Sequence, residues 1–263
     1  MSIPETELLH RVLGVVRESG DLVREHWKRP RNVRLKGRID LVTDTDMAVE
    51  AFLKARLEQV LPGSTFVAEE SASSLTPGED CWIIDPIDGT TNFAHGVPFV
   101  ATSIGLWRNG GVALGVVDIP VMGETFWATR GGGAWCNGEP VHVSRRMPLA
   151  ESLVATGFPY TISEKVDEVV DRLRRVLVEA RGVRRCGAAA VDLAYVAAGR
   201  YEAFYEDDLK PWDTAAGWLL VEEAGGAVTS FDGTAYGFGR ALLATNGLVH
   251  QDMVSLLVTE GKR

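Results

Sequence analysis

The sequence has little cysteine, no long apolar run and no excess of positive charge. Its three cysteines, Cys81, Cys136 and Cys186, are widely spaced and lack the spacing of metal ligands, so we expect reduced structural thiols. No apolar run is long enough to cross a bilayer, and the first residues lack the charged-then-apolar layout of a secretory signal. We therefore expect a cytoplasmic protein without a membrane partner.

The charge balance limits the classes of partner. The chain has 27 Lys and Arg residues against 36 Asp and Glu residues, which gives a formal net charge of −9. A nucleic-acid-binding surface is normally basic, so no nucleic-acid partner is expected. A phosphate substrate stays compatible with this charge, because bound divalent ions dominate the field at their site. The five histidines are scattered, and only His95 lies near the motifs below, so none is assigned as a general base.

The hydrophobic pattern predicts layered helices and sheets without an internal repeat or a linker. Apolar residues at helical spacing predict helices over about 4–27, 44–61, 163–180, 188–198, 214–224 and 247–258. Short apolar runs between turn residues predict strands over about 33–36, 41–43, 65–68, 82–84, 99–107, 112–119, 124–129, 152–156, 203–205, 227–229 and 241–244, and near 183. Glycine-containing turns join the middle strands, which predicts an antiparallel meander.

One short stretch in the first half of the chain carries the most chemical information. The apolar run 82–84 predicts a buried strand that delivers Asp85 and Asp88 into a turn stiffened by Pro86. Thr90 follows at a position that opens a helix. Two carboxylates beside free helix-start amides suit a hard cation together with a phosphate. Taken alone, the same stretch equally suits an ordinary Asp-rich turn with a helix cap.

Two other stretches carry carboxylates at the ends of predicted elements. Glu69 and Glu70 close the predicted strand 65–68, and Asp213 stands near the start of the predicted helix 214–224. In isolation, Glu69 reads as a solvated loop carboxylate and Asp213 as a helix N-cap. Their position relative to the central stretch favours a shared site.

Together these three stretches resemble the signature motifs of the inositol monophosphatase family of magnesium-dependent phosphatases. The resemblance extends to Lys36 and to the segments 40–46 and 131–138, and it covers essentially the whole chain. It implies an α/β fold, a five-layer αβαβα sandwich of the sugar-phosphatase type. It also implies one domain over 1–263, in which a metal-binding half of about 1–147 and an α/β half of about 148–263 pack as one unit, and it implies a homodimer.

The resemblance assigns the metal ligands residue by residue. It implies that Asp85 bridges two Mg²⁺ ions. Glu69 and the backbone carbonyl of Ile87 complete the first ion site, and Asp88 and Asp213 complete the second. A third, weaker ion held through water near Glu69 is also implied, so two or three ions are expected.

The resemblance also implies catalytic and phosphate-binding residues. The Thr90 hydroxyl, hydrogen-bonded to Asp46, helps to position and deprotonate the attacking water, and Glu69 takes part through its ion. The backbone amides of Gly89 and Thr90 bind phosphate oxygens, and Lys36 lies near the water or the phosphate. Read without the family, Thr90 is an N-cap, Asp46 a first-turn acid and Lys36 a solvated lysine.

Substrate recognition is less closely defined by the motifs. The resemblance places Gly187, Ala188, Ala189 and Glu206 around the alcohol of a small phosphorylated polyol or sugar. Inositol monophosphate is the first expected substrate, with lithium as an expected inhibitor. The alternatives with the same chemistry are fructose 1,6-bisphosphate, histidinol phosphate and adenosine 3′,5′-bisphosphate. A different reading is a regulatory or scaffolding protein that keeps the phosphatase fold without relying on catalysis.

Overall fold

The computed structural model of this chain describes residues 5–29, 33–35, 41–239 and 241–258. Its helices are α1 (Glu5–Trp27), α2 (Asp44–Val60), α3 (Thr90–His95), α4 (Ile162–Glu179), α5 (Ala189–Ala197), α6 (Pro211–Glu223) and α7 (His250–Leu257). Its strands are β1 (Val33–Leu35), β2 (Leu41–Thr43), β3 (Thr65–Ala68), β4 (Cys81–Asp88), β5 (Ala101–Arg108), β6 (Gly111–Ile119), β7 (Glu124–Thr129), β8 (Ala134–Cys136), β9 (Glu139–Val141), β10 (Leu153–Thr156), β11 (Gly182–Arg184), β12 (Ala203–Glu206), β13 (Ala227–Thr229) and β14 (Leu242–Thr245).

A seven-stranded sheet positions the predicted ligands of the first half of the chain, Glu69, Asp85 and Asp88. Its strand order is β3-β4-β5-β6-β7-β8-β9, and β3 and β4 run parallel while every later pair is antiparallel. The antiparallel meander predicted for β5 to β7 is thereby confirmed. Because Ala68 pairs with Ile84, the chain leaves β3 at Glu69 on the same edge where β4 presents Asp85. The sheet therefore brings two of the predicted carboxylates together.

A five-stranded sheet follows in the second half of the chain, in the order β11-β10-β12-β14-β13. Strands β11, β10 and β12 are parallel, and β14 is antiparallel to both of its neighbours. The alternation of helices and strands after residue 150 explains this arrangement, because parallel strands need helical crossover connections.

The helices and sheets pack in layers, with three apolar cores between them. Helices α1 and α2 cover one face of the seven-stranded sheet, α5 and α6 fill the space between the two sheets, and α4 and α7 cover the outer face of the five-stranded sheet. Helix α6 lies unusually close to its sheet, since a Cβ atom at Gly115 would lie 2.9 Å from the Cα atom of Ala216. The predicted five-layer αβαβα architecture is confirmed.

Two element boundaries were predicted wrongly near the site. Strand β4 continues to Asp88 instead of turning at Pro86, with a shift of its register against β5 between Asp85 and Asp88. Strand β3 pairs with β4 only as far as Ile84. Pro86, which has no N–H to donate, therefore faces no partner strand on the β3 side. Helix α6 begins at Pro211, three residues earlier than predicted, because proline suits the first helical position.

Several smaller features complete the comparison with the sequence. The hairpin formed by β8 and β9 was not predicted, and α7 is shorter than its predicted range. The three cysteines are free thiols, as predicted. Within the described ranges, no helix is both long enough and apolar enough to cross a membrane. Lys36 lies outside the described residues.

Candidate active site

Asp85 lies at the centre of the candidate site. Its side chain is 2% exposed, near the end of β4, and its Oδ1 atom accepts the N–H of Ile87 at 3.0 Å. Burial raises the pKa of Asp85 well above its usual range, and the charges of Glu69, Asp88 and Asp213 raise it further. A buried carboxyl surrounded by three others needs either protons or cations to be stable.

Asp88 is the last residue of β4, and its side chain contacts the start of helix α5. Its Oδ2 atom accepts the N–H of Ala190 at 2.7 Å, from a residue 102 positions away in the sequence. Burial raises the pKa of Asp88 to about 7, although the amides at the start of α5 oppose that shift. The positive end of the helix dipole therefore partly compensates this carboxylate.

Asp213 lies in the first turn of helix α6. Its Oδ2 atom accepts the N–H of Lys210 at 2.6 Å, and Lys210 is the N-cap, so Asp213 completes a capping box instead of being the cap itself. Burial raises the pKa of Asp213 to about 7, and the charge of Asp88 adds to the shift. This carboxylate thus has a structural role and faces the other acids.

The four predicted carboxylate ligands influence one another through their charges. Glu69, Asp88 and Asp213 all raise the pKa of Asp85, and Glu69 also shares a hydrogen bond with it. Across the described ranges, however, no group of three His, Cys, Asp or Glu side chains is arranged so that it could hold a metal ion by itself. Magnesium retains several waters and needs few protein ligands, so these oxygens fit that ion without forming a complete cage.

The Thr90 hydroxyl links the site to helix α2. It lies 3.0 Å from Oδ1 of Asp46 and 3.1 Å from the carbonyl oxygen of Ile87. Thr43 donates to the other Asp46 oxygen from both its hydroxyl and its N–H, which makes a capping box. Burial raises the pKa of Asp46, while the Thr43 bonds oppose that rise. Thr90 itself is the first residue of α3 and not its N-cap, which is Gly89.

Gly89 brings the start of α3 against the predicted substrate segment. Its φ of +85° is in the left-handed region, and a Cβ atom there would lie 2.8 Å from the carbonyl oxygen of Phe99 and 3.2 Å from Cβ of Ala188. Only glycine fits both restrictions. The methyl groups of Ala188 and Ala189 are buried in the core between the sheets, so these residues offer their backbone to the site.

Asn92 is a residue that the sequence interpretation did not single out. Its side-chain amide donates to the carbonyl oxygens of Phe99 and Cys186, both at 2.8 Å, and lies 3.3 Å from that of Gly187. It thereby holds the start of the substrate segment against α3. No local sequence pattern indicates this role, because the partners lie 7, 94 and 95 residues away along the chain.

Glu206 lies on the substrate side of the cluster. Burial raises its pKa well above the usual range, with further contributions from the charges of Asp213 and Asp192 and an opposing one from Arg185. Asp192 and Arg185 were also missed from the sequence. A Cβ atom at Gly157 would overlap the Glu206 carboxyl group, so a larger residue there would displace that side chain.

A layered αβαβα sandwich with clustered carboxylates at its strand and helix ends defines a class of sugar-phosphate phosphatases. The model of the inositol monophosphatase family matches residues 5–260, and the chain belongs to that family. It is therefore a phosphoric monoester hydrolase by class.

The relatives and solved structures agree with this assignment. The chain is 44% identical over 204 residues to an inositol-1-monophosphatase of Mesorhizobium japonicum, covering 76% of each chain. It is 42% identical to the Nus factor SuhB of Pseudomonas aeruginosa, covering 86% of each, and 38% identical to a fructose-1,6-bisphosphatase/inositol-1-monophosphatase of Thermotoga maritima, covering 92% and 93%. The extragenic suppressor protein SuhB of Bartonella henselae matches with a TM-score of 0.90 at 36% identity, covering 96% and 98%.

Proposed function

We propose that this protein is a magnesium-dependent phosphomonoesterase whose first substrate to test is inositol monophosphate. The observation that carries the proposal is that three carboxylates, Glu69 after β3, Asp88 on β4 and Asp213 on α6, converge on the buried Asp85. Among the described residues, the main influences on the Asp85 pKa are burial and these three negative charges, so the cluster needs positive charge. Divalent ions supply that charge.

Each carboxylate has a proposed place in the ion sites. Glu69, Asp85 and the carbonyl of Ile87 would hold the first ion, and Asp85, Asp88 and Asp213 would hold the second. When bound, magnesium supplies charge that activates a water and stabilises the departing oxygen. The protein contributes rigidity, because Asp85 is on a central strand and Asp88 and Asp213 are bonded to the backbone at helix starts.

Thr90 and Asp46 orient the attacking water in this proposal. The Thr90 hydroxyl has one proton and two acceptors within reach, Asp46 and the Ile87 carbonyl. With the Ile87 carbonyl held by an ion, the Thr90 hydroxyl would donate its proton to Asp46 and would turn a lone pair towards the attacking water. The raised pKa of Asp46 has the direction expected of a group that accepts a proton.

The substrate contacts follow from the placement of three segments. The backbone N–H groups of Gly89 and Thr90 are at the start of α3 and are proposed to bind phosphate oxygens. Gly187, Ala188 and Glu206 border the alcohol, and Glu206 accepts from a hydroxyl of the polyol. A panel of inositol monophosphate, fructose 1,6-bisphosphate, histidinol phosphate and adenosine 3′,5′-bisphosphate, scored by kcat/KM with and without Mg²⁺, tests the substrate.

A regulatory role is the second candidate, and the 42% identity to a relative named Nus factor SuhB favours considering it. The retained carboxylate set favours catalysis. Phosphate release that requires Mg²⁺ supports the enzyme, and no release from any member of the panel supports the regulatory protein.

Three finer features belong to the same proposal: two or three ions per site, a homodimer in the cytoplasm, and inhibition by lithium. A monovalent ion held by Asp85, Asp88 and Asp213 after the alcohol leaves would retain phosphate without supporting another turnover. We expect lithium inhibition to grow with substrate concentration at fixed Mg²⁺. Initial rates over several substrate levels measure it, and relief of inhibition by substrate contradicts the product-bound trap.

A further inference from the structure

Helix α2 presents three polar side chains along one face towards the site. Asp46, Glu50 and Lys54 are spaced by four residues, so they lie above one another on the same side of the helix. Asp46 is fully buried and bonds to Thr90, and Glu50 is 4% exposed. A glutamate is rarely buried to this extent unless polar partners compensate its charge.

Both carboxylate oxygens of Glu50 accept hydrogen bonds from the turn that follows β3. Oε2 accepts the N–H of Glu70 at 2.8 Å, and Oε1 accepts the Ser71 hydroxyl at 2.5 Å. Lys54 donates to the Ser71 hydroxyl oxygen at 2.9 Å and lies 3.9 Å from Glu50. The turn is therefore held to α2 at two consecutive residues.

Glu69 lies between that attachment and the sheet. Its own N–H donates to the carbonyl oxygen of Ile84 at 3.1 Å, which is the residue before Asp85. The backbone of Glu69 is thus fixed on one side by β4 and on the other by Glu50. The same helix face fixes Thr90 through Asp46, one helical turn away.

We propose that Glu50 is a positioning residue that sets the place of Glu69 relative to Asp85 and, through α2, relative to Thr90. This inference rests on the function proposed above, in which Glu69 is an ion ligand. Glu50 contacts neither the reacting atoms nor the ions; it acts through the turn that carries Glu69. Without it, the Glu69 carboxylate becomes mobile beside a preformed Asp85.

The expected effect of Glu50→Ala is weaker ion binding with a retained fold. Loss of groups that orient metal ligands typically reduces metal affinity 10–100-fold, so the Kd for Mn²⁺ measured by titration calorimetry should rise by about that factor. The apparent activation constant for Mg²⁺ should rise equally, while kcat at saturating Mg²⁺ stays within about threefold of wild type. Glu50→Gln should recover part of the affinity, because its amide oxygen accepts from Glu70 and its NH₂ group can donate to Ser71.

Glu58 supplies a matched control on the same helix. It is two turns beyond Glu50 and its Oε1 also accepts a loop N–H, from Gly63 at 3.0 Å, but that loop lies ahead of β3 and carries no site residue. Glu58→Ala removes an exposed side-chain bond from the same helix to a loop N–H, so its Kd for Mn²⁺ should stay within twofold of wild type.

The outcomes separate this inference from the proposed function. If the wild type binds Mn²⁺ and releases phosphate while folded Glu50→Ala binds with the wild-type Kd, the positioning role is overturned and the function stands. If the wild type binds no Mn²⁺, both are overturned. Should Glu50→Ala fail to fold, Ser71→Ala decides: it removes one donor to Glu50, so a raised Kd for Mn²⁺ supports the inference and a wild-type Kd contradicts it.

Discussion

The Thr90 side chain combines a structural hydrogen bond with a proposed chemical role. Its hydroxyl is within hydrogen-bond distance of both Asp46 and the Ile87 carbonyl, and its side chain is 5% exposed. Because the hydroxyl is proposed to act on the attacking water, its loss should affect the transition state more than substrate binding.

We therefore expect Thr90→Ala to lower kcat by about 10²-fold or more, with KM changed by less than about threefold, as for loss of a general-base contribution. Steady-state phosphate release measures both constants. Stability should fall by about 1–2 kcal/mol, since a buried hydrogen bond is lost. Thr91→Ala is the control, because Thr91 is the next residue of α3 and is exposed. A Thr90→Ala variant with wild-type kcat and a raised KM would make Thr90 a binding residue only.

The residues that the sequence revealed and those that it did not differ in a physical way. Asp85, Asp88 and Asp213 were visible because each stands at the end of a recognisable element. Asn92 was not, because its partners are at Phe99 and at Cys186, and the second contact spans 94 residues. A polar side chain with distant partners carries no local pattern.

At the scale of elements, helix α1 rests on a buried acid of the sheet. Asp118 in β6 is 5% exposed, and its Oδ1 atom accepts the Thr125 hydroxyl at 2.6 Å. Its other oxygen lies against α1, where a Cβ atom at Gly20 would be 2.6 Å from it. Burial raises the pKa of Asp118 to about 6, opposed by the Thr125 bond and the Arg24 charge.

This raised pKa predicts that ionised Asp118 destabilises the folded state at high pH. The folded state holds the Asp118 proton up to about pH 6, whereas the unfolded chain releases it near the ordinary aspartate pKa of 3.8. The free energy of unfolding therefore falls as the pH rises through that window. We expect Asp118→Asn to raise the free energy of unfolding at pH 8 by about 1–2 kcal/mol, and by less at pH 4.5. Urea unfolding at both pH values measures this.

Asp21→Asn is the control for that prediction. Asp21 also lies beside Arg24, but its side chain is 72% exposed, so its removal should change stability by less than about 0.5 kcal/mol at either pH. A gain for Asp118→Asn that is equal at pH 4.5 and pH 8 would contradict the assigned ionisation.

At two element boundaries, tertiary structure overrides the boundary that the local sequence predicted. Pro86 predicted a turn, yet β4 continues through it because its neighbour β3 ends at Ala68. Asp213 resembled an N-cap, yet Pro211 begins α6 and moves Asp213 into the first turn. Proline thus lies within the strand in one case and begins the helix in the other.

At the scale of the whole molecule, the site is assembled from both halves of the chain. Glu69, Asp85 and Asp88 come from the seven-stranded sheet, while Asp213 and the amide of Ala190 come from α6 and α5, between the sheets. The layered architecture followed from the family resemblance, because hydrophobic periodicity gives elements but not their stacking. The close approach of α6 to the sheet, permitted by Gly105 and Gly115, brings Asp213 to the other acids.

The most direct test of this account is phosphate release by Asp85→Asn at saturating Mg²⁺, compared with wild type and with Asp167→Asn, an exposed acid on α4. Asp85→Asn keeps the shape of the side chain and removes the charge at the centre of the four carboxylates. We predict a loss of at least about 10²-fold in kcat for Asp85→Asn, an unchanged kcat for Asp167→Asn, and a melting temperature of Asp85→Asn no lower than that of wild type without Mg²⁺. Near-wild-type phosphate release by folded Asp85→Asn would contradict the central claim that these carboxylates hold the catalytic ions.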